Sequence, residues 1–153
     1  VNAPPTFRRA VAADVPVIVA MLTDDELGAK REGSFEAGRE NYMAAFAAID
    51  AEPNNELWVV EHGSDVVGCF QLTFIPGLSR MGSTRCLIEA VRIASKRRGQ
   101  GLGGRAMSWA IARAREKGCA VVQLTSDLSR TDAHRFYELL GFAKSHAGFK
   151  LKL

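Results

Sequence analysis

The chain has 153 residues, of which 47% are hydrophobic, 24% charged and 8% aromatic, with a formal net charge of +3. These values are those of a soluble globular domain, and no apolar run approaches the roughly 20 residues of a membrane span. Length and the lack of linkers, repeats and low-complexity tracts point to a single domain over 1–153. Cys69, Cys86 and Cys119 stand far apart with no CxxC pair, which suggests neither a disulfide framework nor a zinc site and fits a reducing cytoplasm. No His/Asp/Glu cluster has metal-ligand spacing, so no metal is predicted. The start Val1-Asn2-Ala3-Pro4-Pro5 has no signal-peptide pattern.

In chain order, residues 7–11 read as a first strand, followed by Asp14 as a helix N-cap with Pro16 in the first turn and Val17, Ile18, Met21 and Leu22 at helical spacing. Residues 24–33 read as a polar loop. A second helix is predicted from about 35 to 49, with Tyr42, Phe46 and Ile49 on one side, ended by Pro53-Asn54-Asn55. Residues 57–61 and 66–75 form a hairpin around His62-Gly63-Ser64-Asp65. Its second strand puts Val66, Phe70, Leu72 and Phe74 on a core face, with Gln71 and Thr73 opposite. Residues 86–94 read as a central strand, apolar on both faces except for Glu89 and Arg92.

A helix over 102–117 carries Met107, Ala110, Ile111 and Ala114 at i, i+3, i+4 and i+7 and closes at Gly118. Residues 120–124 make a short buried strand. Thr131 or Asp132 caps a helix bearing Ala133, Phe136, Tyr137 and Leu140, which ends at Gly141, and 142–153 leave room for one or two final strands. Hairpins in the middle and crossovers at the end imply an α+β fold, a mixed sheet flanked by helices.

Charge is distributed unevenly. Residues 90–115 hold seven of the 20 basic residues (Arg92, Lys96, Arg97, Arg98, Arg105, Arg113, Arg115) and none of the 17 acidic ones, so the rest of the chain is net negative. A focused positive segment favours a bound anion over a nucleic-acid surface. Within it lies Arg97-Arg98-Gly99-Gln100-Gly101-Leu102-Gly103-Gly104, between a strand and a helix. Glycines there admit a ligand to the backbone, and the free amides of a helix start suit a phosphate. Gly99, Gly101 and Gly104 also satisfy GxGxxG, with Asp127 near the position of a ribose-binding acid, so a dinucleotide remains a competing ligand at this stage. A P-loop is excluded because no Gly-Lys-Ser/Thr follows the glycines.

The stretch Arg98-Gly99-Gln100-Gly101-Leu102-Gly103 resembles the R/Q-x-x-G-x-G/A pyrophosphate loop of the GCN5-related N-acetyltransferase (GNAT) superfamily. Ala133-His134-Arg135-Phe136-Tyr137-Glu138-Leu139-Leu140-Gly141-Phe142 is similar to its A-x-x-x-Y-E-x-x-G-F helix, and Arg8, Ala10 and Asp14 resemble its beginning. The resemblance implies the acyl-CoA N-acyltransferase fold, with a mostly antiparallel sheet, and acetyl-CoA as co-substrate. Its pyrophosphate would lie on the backbone of residues 99–104, namely Gly99, Gln100, Gly101, Leu102, Gly103 and Gly104. Lys96, Arg97 or Arg98 would lie near the 3′-phosphate, and the pantetheine along the strand edge at Val91, Arg92 and Ile93. Where the family often has a cofactor-contacting Asn, this chain has Arg130, which could bind the cofactor, an acidic substrate group or solvent.

The same resemblance places Tyr137 near the sulfur as general acid, with packing beside Phe136 as its plainer reading. Glu89 is the candidate base, because a lone carboxylate in an apolar strand is costly unless paired or used. Its structural alternative is an ion pair with Arg85 or Arg80, Arg92 being three residues away and therefore expected on the opposite face. The three histidines, His62, His134 and His146, read as polar surface, and Trp58, Met107 and Trp109 as packing. The expected activity is direct acetyl transfer to a small-molecule primary amine, with a protein amine as second choice and a CoA- or nucleotide-binding regulatory module as the alternative. Neither nucleic acid nor membrane is expected as a partner, and a homodimer is common in the superfamily.

Overall fold

A computed structural model describes residues 3–153. Val1 and Asn2, part of the start read above as lacking a leader, lie outside the described residues. No helix among the described residues is long and apolar enough to cross a membrane. The described chain divides into two compact units, residues up to Gln123 and Leu124–Leu153.

The first unit contains a five-stranded sheet in the order β1 (Thr6–Arg9), β2 (Asn55–His62), β3 (Asp65–Ile75), β4 (Arg85–Ile93) and β5 (Val121–Gln123). The first four strands are antiparallel to their neighbours and β5 is parallel to β4. This is the mixed, mostly antiparallel sheet expected. β2 and β3 are joined by a two-residue turn at Gly63-Ser64, where Gly63 has φ 68, a conformation that favours glycine.

Helices α1 (Val15–Leu22) and α3 (Arg39–Ala51) contribute to one face of the sheet. There Ala10, Ile18, Met21, Leu57, Val59 and Cys69 form a buried cluster, with Leu22, Phe46 and Ile49 packed against it. The cover supplied by α1 explains why Val67 and Cys69 are buried as well as Phe70 and Leu72, so β3 has apolar residues buried on both faces rather than on one.

Between these two helices, residues 24–33 do not form the expected loop. They contain α2 (Glu26–Arg31), whose N-cap Asp25 accepts the Gly28 N–H at 2.5 Å. Six residues are too few to display a helical period, and the turn depends on a close approach. A Cβ on Gly28 would stand 2.0 Å from the Leu22 carbonyl oxygen. Asp14 also departs from expectation. It makes no side-chain cap to α1; its carboxylate accepts the Val11 N–H and a two-pronged bond from Arg8, whose Nε donates to Glu61.

Helix α5 (Leu102–Glu116) covers the other face, with Leu102, Ala106, Met107, Ala110 and Ala114 buried. Its Trp109 ring stacks on Phe7 at 5.3 Å and lies 4.3 Å from Trp58 and 5.9 Å from Phe70. Beside these rings Glu56, only 2% exposed, accepts bonds from Arg113 at 2.6 and 3.1 Å and from the Trp58 indole at 2.9 Å. Burial alone would raise the Glu56 pKa, but the Arg113 and Trp58 bonds outweigh it and hold the carboxyl below its ordinary range. Between β3 and β4 lies α4 (Ser79–Gly82), a single irregular turn in which Arg80 and Met81 have φ 52 and 59.

The second unit contains α6 (Thr131–Leu139). Neither Thr131 nor Asp132 caps it; the N-cap position is Arg130, with no side-chain cap. The approach to the helix is shaped instead by Asp127, whose Oδ1 accepts from the Ser129 N–H and hydroxyl. Gly141, φ 96, ends the helix as expected. Residues 142–153 carry no strand, although Phe149, Leu151 and Leu153 alternate with lysines. Alternation supplies a face, whereas a strand also needs a ladder partner.

Arg113→Ala would leave Glu56 buried without its main partner and is expected to cost about 3–5 kcal/mol, whereas joint replacement of both residues by Met should cost much less. Urea denaturation of the three proteins measures the difference. Because Asp14 and Glu56 titrate below their ordinary values in the folded protein, their contribution is present above the unfolded carboxylate pKa and is lost as pH falls through the folded one. The denaturation midpoint should therefore drop on acidification below about pH 4–5, and drop less in an Asp14→Asn variant.

Candidate active site at the end of β4

The course of β4 is set by Ala90, whose φ of 52 is a left-handed conformation that costs a non-glycine residue about 1–2 kcal/mol. Across the sheet Cys69 faces Arg92 and Gln71 faces Glu89, so Ala90 and Val91 together oppose the single residue Phe70. This β-bulge reverses the strand's parity. Directly opposed residues of antiparallel strands share a face, so Arg85, Leu87, Glu89 and Arg92 all lie on the face of Ile75, Thr73, Gln71 and Cys69. The expectation that Arg92 faces away from Glu89 is corrected by the bulge. Glu89 is exposed and forms no ion pair with Arg85, Arg80 or any other group among the described residues.

β5 pairs with β4 only at Arg85, Cys86 and Leu87. From Ile88 onward the outer edge of β4 has no strand beside it among the described residues, and it leads directly to the glycine-rich loop. There Ser95–Arg97 forms a 3₁₀ turn, and Gly99 and Gly101 both have φ 75. Gly101 is the N-cap of α5 and offers no side-chain cap. The first intrahelical bond comes from the Arg105 N–H to the Gly101 carbonyl, which leaves the N–H groups of Leu102, Gly103 and Gly104 ahead of the ladder.

A tight turn accounts for Gly99 and Gly101. It does not account for Gly104, which lies inside the helix and whose φ is not positive. Glycine there costs about 1 kcal/mol relative to alanine. No protein atom lies within 4 Å of where its Cβ would be. The space belongs to a shallow open depression lined by Phe7, Gly101, Gly104, Arg105 and Trp109 along the start of α5. The residues present therefore fit a phosphate group against the helix start.

The basic residues of the segment have separate partners. Arg113 is the buried partner of Glu56. Arg97 donates through Nε to Gln100 at 3.3 Å and contacts His62 Nδ1, while His62 Nε2 lies 2.8 Å from the Ala3 carbonyl. Arg98 donates through Nε to the Ile93 carbonyl at 3.1 Å and through Nη2 to the Asp24 carbonyl at 3.4 Å. Arg92 donates to the Val91 carbonyl at 2.8 Å. Lys96 is exposed. Asp24 also accepts the Ser95 N–H at 3.2 Å, so the turn after α1 is tied to the start of the glycine-rich loop. Asp24 and His62 are the residues sequence reasoning missed, since each lies at least 35 residues from its partner and carries no local signal.

Tyr137 and Arg130 belong to the second unit. The Tyr137 ring is partly buried and edge-on to Phe136 at 5.2 Å and Phe142 at 5.9 Å. Arg130 donates its N–H to the Asp127 carbonyl at 3.0 Å and accepts from the His134 N–H. Burial pushes the Cys69 and Cys86 thiols up to about 12 and raises Cys119. None of the three is a ready thiolate nucleophile.

Against known proteins, residues 19–142 match the model of the acetyltransferase (GNAT) family. The chain belongs to that family. It is 30% identical over 143 residues to an aminoalkylphosphonate N-acetyltransferase of Salmonella typhimurium, covering 94% of this chain and 88% of that one. Among solved structures, a protein of Bacillus halodurans described as a transcriptional regulator is 47% identical, with a TM-score of 0.94 and coverage of 98% and 100%. A protein of Clostridium acetobutylicum, described as a predicted acetyltransferase and solved with acetyl-CoA, shares the fold at 16% identity, with a TM-score of 0.74 and coverage of 97% and 96%. The sheet and flanking helices described above are thus the GNAT fold, and the protein is an N-acetyltransferase.

In this acetyltransferase Asp24→Ala should speed hydrogen exchange at the Ser95 amide and across residues 95–101, with little change in melting temperature, because the bonds lost are exposed. Exchange monitored by NMR or mass spectrometry reads the effect.

Proposed function

We propose that this acetyltransferase carries an acetyl group from acetyl-CoA directly to the primary amine of a small molecule, with no covalent enzyme intermediate. The observation that carries the reading is Gly104, an internal helix glycine whose missing side chain leaves open space beside uncapped N–H groups. Family membership implies acetyl-CoA. The Salmonella relative, named for aminoalkylphosphonates, supports a small acceptor.

The backbone of Gly99, Gln100, Gly101, Leu102, Gly103 and Gly104 would hold the pyrophosphate, where glycine admits the ligand and the helix dipole favours negative charge. Arg97 and Arg98 flank this loop, each already oriented by a protein acceptor. The open edge at Val91, Arg92 and Ile93 suits the pantetheine arm, whose amides can bond to it as an added strand does. The co-substrate supplies an acetyl thioester. Glu89 takes a proton from the incoming ammonium, directly or through water, so that the nitrogen attacks as a neutral amine. As the new C–N bond forms and the C–S bond breaks, the thiolate needs a proton. Tyr137 is assigned that step on its match to the family's helix motif, and Arg130 is left as a cofactor or substrate contact on the same ground. The raised thiols favour direct transfer over a cysteine-bound acetyl group.

Thiol release from acetyl-CoA with a panel of small amines and lysine peptides tests the reading. Turnover of a small amine is expected, and turnover confined to peptides would overturn the small acceptor. Gly104→Val should raise the KM for acetyl-CoA by about tenfold or more without unfolding the helix, since valine is no worse than glycine there. An unchanged KM would remove the loop from the site. Glu89→Gln should lower kcat by about 10²–10⁴ with a smaller change in KM, as loss of a general base does.

A further inference from the structure

We propose that the acceptor carries a negative charge a short chain away from its amine, and that Arg85 reads that charge. This rests on the amine-acetylation reading above and adds the class of acceptor and the residue that selects it.

Arg85 Nε is out of water and has no hydrogen-bond partner. The other part-buried arginines that lie against the first unit do find acceptors. Arg8 bonds Asp14 and Glu61, Arg113 bonds Glu56, Arg97 bonds Gln100 and Arg92 bonds the Val91 carbonyl. Arg85 makes no ion pair or hydrogen bond through its side chain among the described residues. A guanidinium drawn partly from water without an acceptor is unfavourable unless something else supplies one.

The register places Arg85 opposite Ile75 and on the same face as Glu89, which is exposed and likewise without an ion pair. The two opposite charges do not meet because four residues of strand put their Cα atoms about 13 Å apart. Leu87 lies between them, and Thr73 and Gln71 face this stretch from β3. The Thr73 hydroxyl already donates to Asn55 at 2.7 Å. What remains is one cation and one anion at the two ends of a short strip. A small molecule with an ammonium at one end and an anion at the other satisfies both, its amine directed to Glu89 and its anion held by the guanidinium, which binds carboxylate or phosphonate oxygens in pairs.

The test compares 2-aminoethylphosphonate and β-alanine with uncharged propylamine as acceptors, in wild type and in Arg85→Met and Arg85→Lys. The wild type should prefer the charged amines in kcat/KM. Arg85→Met should reduce that preference by about 10- to 100-fold, mostly through KM, and Arg85→Lys should restore part of it. Equal use of charged and uncharged amines by the wild type would overturn the proposal, as would an equal loss on both kinds of acceptor in Arg85→Met. If no amine is acetylated, the reading of the reaction fails separately, and calorimetric titration of 2-aminoethylphosphonate decides the site. Binding weakened at least tenfold by Arg85→Lys or Arg85→Met supports it, and no binding to the wild type overturns it.

Discussion

The bonds that gather on Glu56 determine where α5 begins. A helix is rigid over this length, so anchoring Arg113 to the sheet fixes Leu102, eleven residues earlier, roughly 16 Å back along the axis. The Phe7, Trp58, Phe70 and Trp109 rings prevent the helix from rotating about that anchor. Its first-turn N–H groups are thereby held beside the end of β4. A buried carboxylate would be costly alone; with two bonds from Arg113 and one from Trp58 it joins β2 to the helix that opens the cofactor loop.

The second constraint is the strained Ala90. A straight β4 would put Arg92 on the face of α5 and leave Glu89 among residues of the other. The bulge instead brings Arg85, Glu89 and Arg92 onto one face, while the early separation from β5 leaves the strand's edge open. Strain of this kind persists only where the surroundings over-determine it. Here β3 does so through pairs on both sides of the bulge, Leu72 with Ile88 and Gly68 with Ile93. One irregular residue thus serves both substrates of the transfer, giving one an unpaired edge and the other a charged strip.

Much of the fold was legible locally. Hairpin, helix ends and the helix at 102–116 follow from period, β-branched runs and glycine, because each depends on residues close in sequence. The glycine-rich loop was legible for the same reason, with Gly104 the telling residue once the helix was seen to include it. The short α2 was not, since it rests on Asp25 and on the closeness of Gly28 to Leu22, and neither makes a period. The pairing of Arg113 with Glu56 was hidden within a basic segment that read as ligand-binding throughout, because a count of charges does not say which of them turn inward.

The sequence by itself determined the mixed sheet, the family, and an anion-binding turn between a strand and a helix, since these are written in short motifs and local patterns. Only the tertiary structure decided which charges share a face and which are already satisfied. A bulge that inserts one residue into the β4 ladder inverts every later position, and no pattern of residue types records where a backbone will take that extra step.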